Sequence, residues 1–123
     1  MYFQGRAFRT LEAGMNATWL QQQVHTQNLA NLETPGYKAK SVVFERELRR
    51  STDRYGGTAA TRPALRVRVT EESDSEIRPD GNNVDADAES VELYKAYAHY
   101  SMLLDKIKKE VDINNYVLAN APR

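Results

Sequence analysis

The sequence predicts a mainly α protein in which two long terminal helices, coiled-coil-like, flank a small, flexible, β-containing insertion. Three observations carry that expectation. Apolar residues recur at helical spacing near the start, they recur at heptad spacing near the end, and the stretch between them is broken by glycine, proline and short alternating runs. The chain of 123 residues accordingly divides into residues 1–5, residues 6–37 (first helix and a corner), residues 38–83 (partly β middle segment) and residues 84–123 (heptad helix).

The opening "MYFQG" contains Tyr-Phe-Gln-Gly, the scar of a common protease-cleavable tag, yet it begins with Met and runs into the helix without a seam; nothing rests on it. From Arg6 to about Leu32, Phe8, Leu11, Met15, Trp19 and Leu20 form an apolar stripe that Val24, Leu29 and Leu32 continue more thinly. Its length as a helix is about 40 Å. The second half is rich in Gln and Asn, a surface suited to contacts that are hydrogen-bonded as well as packed.

The first helix is expected to stop in the segment "NLANLETPGYKAK", residues 28–40. Thr34 precedes Pro35, whose ring disfavours the α conformation there, so the helix ends at about Leu32 or Glu33. Pro35 and Gly36 occupy the middle of a type II turn, and Tyr37 lays a ring with a polar tip against the helix end. Asn28 and Asn31 share a helix face, where their amides can bond freed carbonyls or the turn's own amides. A helix stop needs only Pro or Gly. The additional residues point either to a well-specified corner or to a surface that something else reads.

In the middle segment, "SVVFERELRR" (residues 41–50) reads as a short extended piece turning helical, "RYGGTAATRP" (residues 54–63) as a flexible loop, and "ALRVRV" (residues 64–69) as a half-exposed strand. "IRPDGNNV" supplies a turn in which Gly81 or Asn82 can take a positive φ. Asp85 is placed to cap the last helix, with Asp87 and Glu89 favoured by its dipole. Leu93, Tyr97, Tyr100, Leu104, Ile107 and Val111 then step by four and three as a packing stripe that can run on towards Leu118.

Composition narrows the function. With no cysteine there is neither a disulfide framework nor a thiolate metal site. Seventeen basic and seventeen acidic residues give zero net charge, which argues against nucleic-acid binding. The balance conceals a polarity: residues 1–70 hold 11 Lys/Arg and 5 Asp/Glu, residues 71–123 hold 6 and 12. Such halves either neutralise each other within one molecule or attract between copies. There is no P-loop, no Gly-x-Ser-x-Gly elbow and no paired His at metal spacing, so no catalytic, cofactor or metal site is expected. His25 and His99 lack an acidic residue at helical spacing and read as ordinary surface or packing residues. No apolar run of about 20 residues is present, so direct membrane insertion is not expected.

The two Asn-rich segments carry a resemblance. Residues 28–37 are similar to the Asn-x-x-Asn-x-x-Thr-Pro-Gly-Tyr signature near the N-terminus of bacterial flagellar axial proteins, the rod, hook and hook-associated proteins, and "GNNVDADAESVEL" (residues 81–93) resembles the segment that opens the C-terminal helix in the proximal rod members. "VVFEREL" and "YKAYAHYSMLL" fit the same members, while residues 50–76 match weakly.

That resemblance implies a structural subunit of the proximal rod, not an enzyme, without cofactor. It would leave the cytoplasm uncleaved through the flagellar type III export apparatus and end in the basal-body rod, on the periplasmic side of the cell envelope. Its implied partners are the rod proteins FliE, FlgC and FlgF, copies of itself and the export apparatus. Asn28, Asn31, Thr34, Pro35, Gly36 and Tyr37 would form the signature corner, and Gly81, Asn82, Asn83, Val84 and Asp85 the start of the second helix. A FlgC-like rod protein is the alternative within the family, and a soluble coiled-coil adaptor or export chaperone the alternative outside it.

Overall fold

A computed structural model describes residues 5–51, 60–75 and 78–121. Helix α1 (Arg6–Ala30) leads through the corner to strand β1 (Lys40–Ser51), strand β2 (Ala60–Glu71) returns, and helix α2 (Ala86–Ala119) closes the order. The predicted class is what the structure shows: two helices around a two-stranded sheet.

The helices pack along one another, and each end of that pairing has its own fastening. His25 Nδ1 lies 2.6 Å from Glu89 Oε2, joining the last turns of α1 to the first of α2. Further along, Gly14 admits Leu103: a Cβ at Gly14 would stand 3.3 Å from its Cδ1. Ala17, Val24 and Ala96 are buried, and Leu93, Tyr100, Leu103 and Ile107 are half-buried along the seam. Small residues there bring the helix backbones close together and leave a narrow core. Asp85 caps α2 by accepting from the backbone N–H of Asp87 and Ala88, as its position predicts.

Of the six stripe residues, Leu93, Tyr100, Ile107 and Val111 are half-buried, whereas Tyr97 and Leu104 are exposed. The 3–4 stepping mixes two adjacent lines on one helix. The line facing α1 continues through Ala96 and Leu103, small or aliphatic positions that the stripe skips.

Two expectations for the middle segment are corrected. Residues 41–50 do not turn helical: all of Lys40–Ser51 is strand, antiparallel to Ala60–Glu71 with Val42 opposite Val69, Phe44 opposite Val67 and Arg49 opposite Arg62. Cross-strand pairing outweighs the weak helical pattern of "ERELRR", and Ser41 and Thr70 add a 3.1 Å contact between hydroxyls directly opposite each other. Likewise residues 60–63 belong to β2 instead of the loop expected at 54–63, whose remainder lies outside the described residues. The hairpin lies on one side of the helix pair, where Phe44 faces Ala17, Thr18, Met102 and Leu103 across a cleft of about 360 Å³.

Candidate functional site

Both Asn-rich segments converge on one place, where α1 ends, the hairpin begins and α2 starts. Helix α1 stops at Ala30, two residues before the expected end, and Asn31 to Glu33 form a turn. Thr34 to Tyr37 make the predicted type II turn: Gly36 has φ 71°, and the Tyr37 N–H donates to the Thr34 carbonyl at 3.3 Å. Across from it, residues 78–81 turn as well, with the Gly81 N–H donating to the Arg78 carbonyl at 3.0 Å and Gly81 at φ 83°. The two turns interlock, because the Gly36 N–H donates to the Asp80 carbonyl at 2.9 Å and a Cβ on Gly81 would sit 3.6 Å from the Gly36 Cα.

Three asparagines fasten the elements. Asn28, 0% exposed, treats Lys40 as a strand neighbour would: its Oδ1 accepts from the Lys40 N–H at 2.9 Å and its Nδ2 donates to the Lys40 carbonyl at 2.7 Å. The Tyr37 hydroxyl donates to the same Oδ1 at 3.2 Å. That explains the spacing of Asn28 and Tyr37, since the primary amide reproduces the donor and acceptor of a peptide and fixes where β1 begins. Burial raises the Tyr37 pKa above 10.0, and the nearby Glu89 and Glu71 carboxylates push the same way.

Asn82, also 0% exposed, caps the end of α1 from 50 residues away. Its Nδ2 donates to the carbonyls of Asn31, Leu32 and Thr34 at 3.0, 3.1 and 2.8 Å, and its Oδ1 accepts from the Val84 N–H at 2.8 Å. Asn83 closes the base of the hairpin, accepting from the Ala39 N–H at 2.6 Å and donating to the Glu72 carbonyl at 2.6 Å and the Ser75 hydroxyl at 3.1 Å. Val84 is buried beside them. Asn31 works locally, its Nδ2 donating to the Gln27 carbonyl and its Oδ1 accepting from Thr34 Oγ1. Pro35, for its part, presets the turn's φ.

The structure thus brings the two sets of signature residues together and turns the asparagine side chains inward. The amides of Asn28, Asn82 and Asn83 are occupied within the chain, whereas Thr34, Pro35 and Gly36 keep an exposed surface at the turn. Two participants were missed. Arg78 donates to the Leu32 carbonyl and lies 3.6 Å from Glu33, a cation at a helix C-terminus, and Glu89 is the partner of His25. Both pairs join residues more than 40 positions apart, so helical spacing could not reveal them. A shallow polar cleft beside the corner is lined by His25, Lys40, Glu72, Asn83, Glu89 and Glu92, but among the described residues no three His, Cys, Asp or Glu side chains are grouped to hold a metal. No helix among them is long and apolar enough to cross a membrane.

Known proteins are similar to this chain in sequence. The family model for flagella basal body rod proteins matches residues 8–38, which is α1 with its corner. The chain is 29% identical over 106 residues to the flagellar basal body rod protein FlgB of Bacillus subtilis (strain 168), covering 80% of this chain and 82% of that one. It is 27% identical over 121 residues to FlgB of Escherichia coli (strain K12), covering 85% and 87%, and 26% identical over 123 residues to FlgB of Buchnera aphidicola subsp. Acyrthosiphon pisum, covering 90% and 92%.

Proposed function

Because this chain is a relative of the flagellar basal body rod proteins, a structural family, we propose that it is a subunit of the proximal rod, exported by the flagellar type III apparatus and assembled through its terminal helices. The observation that carries this reading is similarity to FlgB proteins along 80% or more of the chain, taking in both halves of the asparagine corner. The geometry is in keeping with a building block. Its polar side chains at the corner are spent on holding four elements in a fixed relation, while apolar side chains along the helices remain uncovered.

In this role the terminal helices meet copies of the same chain, and FliE, FlgC and FlgF are its neighbours in the basal body, on the periplasmic side. Isolated chains stay monomeric or form small oligomers, because rod contacts act together. The test is deletion of the gene in its native host, with electron microscopy of basal bodies. Loss of everything beyond the basal rings, restored by re-expression of this chain, is the expected result. Intact hooks in the deletion strain overturn the rod role and favour an adaptor that binds one partner at fixed stoichiometry.

A further inference from the structure

One polar contact between the helices stands right beside the asparagine corner. His25 comes three residues before Asn28 on α1, and Glu89 four residues after Asp85 at the start of α2, so their pairing clamps the two helices next to the turns. Both side chains are nearly enclosed, with 11% and 14% of their surface exposed. An ionised carboxylate only accepts, so Nδ1 of His25 carries a hydrogen and donates to Glu89 Oε2 at 2.6 Å. Nε2 is then the ring atom that gains or loses a proton as pH changes, and the bond itself survives either way.

The groups around the pair decide which state of the ring the folded chain favours. Lys40 of β1, Glu72 just beyond β2, and Asp85 and Glu92 of α2 share a cleft with it, while Tyr37 of the corner lies near enough to feel the Glu89 carboxylate. Among the described residues of that cleft, one ammonium stands against four carboxylates, Glu89 included. Glu92 has its carboxyl held below the ordinary value, first by the hydrogen bond from Lys95 and also by His25. The length of the bond points the same way. Charge-assisted N–H···O bonds run about 2.7 to 2.9 Å and neutral ones about 2.9 to 3.0 Å, whereas this one is 2.6 Å. Burial by itself disfavours a cation, but the Glu89 charge beside the ring is as poorly screened by water as the ring is.

We propose that His25 and Glu89 form a pH-sensitive latch, which tightens the hold of α1 on the first turns of α2 in acid and slackens it in alkali. A proton taken up at Nε2 turns the hydrogen bond into an ion pair with the bond already in place, so the hold strengthens without any rearrangement. The folded chain keeps that proton more readily than the unfolded chain, in which ring and carboxylate are both in water. The added stability is therefore fully present on the acid side of the imidazole range, about pH 5 to 8, and is lost as pH rises through it. The device acts within one chain. It goes beyond the rod reading and does not depend on it.

The test is chemical denaturation of the full chain across that range, with His25→Gln, Glu89→Gln and the double variant. Gln at either position keeps a hydrogen-bonding amide and removes the titrating charge. The expected result is a coupling between His25 and Glu89 in the double-mutant cycle that grows as pH falls from about 8 to about 5.5. A coupling that is the same at every pH overturns the latch and leaves a plain hydrogen bond. His99, exposed on α2, supplies an internal reference in the parent chain, where no variant has to fold. In an NMR titration of the two rings, His25 is expected to keep its proton to higher pH than His99. Loss of the His25 proton at the same or a lower pH overturns the proposal.

Discussion

The asparagine corner and the distal helix pair stabilise themselves by opposite means. At the corner, fully buried amides satisfy backbone groups from α1, the turns, the hairpin and α2, with little apolar area involved. Towards the free end of α2, regular helix presents apolar side chains that the chain leaves uncovered. The comparison teaches that order in the first region comes from directional bonds made within one chain, while the second keeps large apolar side chains exposed on regular helix. A buried polar node fixes direction sharply because each bond has a required geometry; an apolar stripe accepts any complementary surface.

The strongest way to break the contrast is Asn82→Ala. It strips a donor from three carbonyls and orphans the Val84 N–H, and it is expected to cost about 3 kcal/mol or more by chemical denaturation. A loss below about 1 kcal/mol shows that water replaces the amide and that the corner is not a closed node. Next comes Gly36→Val. The nearest atom to an added Cβ is the Asp80 carbonyl oxygen at 4.0 Å, so the expense is backbone strain at φ 71° and not collision, about 1 to 3 kcal/mol. Gly36→Asn, which tolerates positive φ, recovers much of that loss in the same denaturation series.

Tyr37→Phe removes one hydrogen bond to Asn28 and is expected to lower stability by about 1 kcal/mol at neutral pH. Because the folded-state pKa of Tyr37 is raised, the folded chain holds this proton more tightly than the unfolded one. Its contribution is fully present below pH 10.0 and falls away as pH rises through the folded value, so the alkaline loss of stability is shallower in the Phe variant. Smallest is Tyr116→Ser in the last turn of α2, which is 71% exposed. Its effect on the isolated chain is expected within about 0.5 kcal/mol by thermal denaturation. A large thermal destabilisation of the isolated chain would mean that the end is held within its own molecule.

Much of the fold was legible because its signals are local. Helix α1 follows from its stripe, the type II turn from Pro35 and Gly36, and the start of α2 from Asp85, each readable within a few residues. Strand β1 was not, because "FERELRR" has no clear period of its own and takes extended form only through its register with residues 61–67. The site was half legible. Its residue types and their two segments stood out, but the partners did not: Asn82 reaches carbonyls about 50 positions earlier, His25 reaches Glu89, and Arg78 reaches Leu32.

By itself, then, the sequence determined where the chain turns at Pro35–Gly36 and that two long terminal stretches are helical, because φ restriction and side-chain periodicity act between neighbours in the chain. Tertiary structure alone decided that the amides face inward, which line of α2 meets α1, and which apolar residues stay bare. Those outcomes depend on the distance between groups that folding brings together, and a spacing along one segment does not encode that distance.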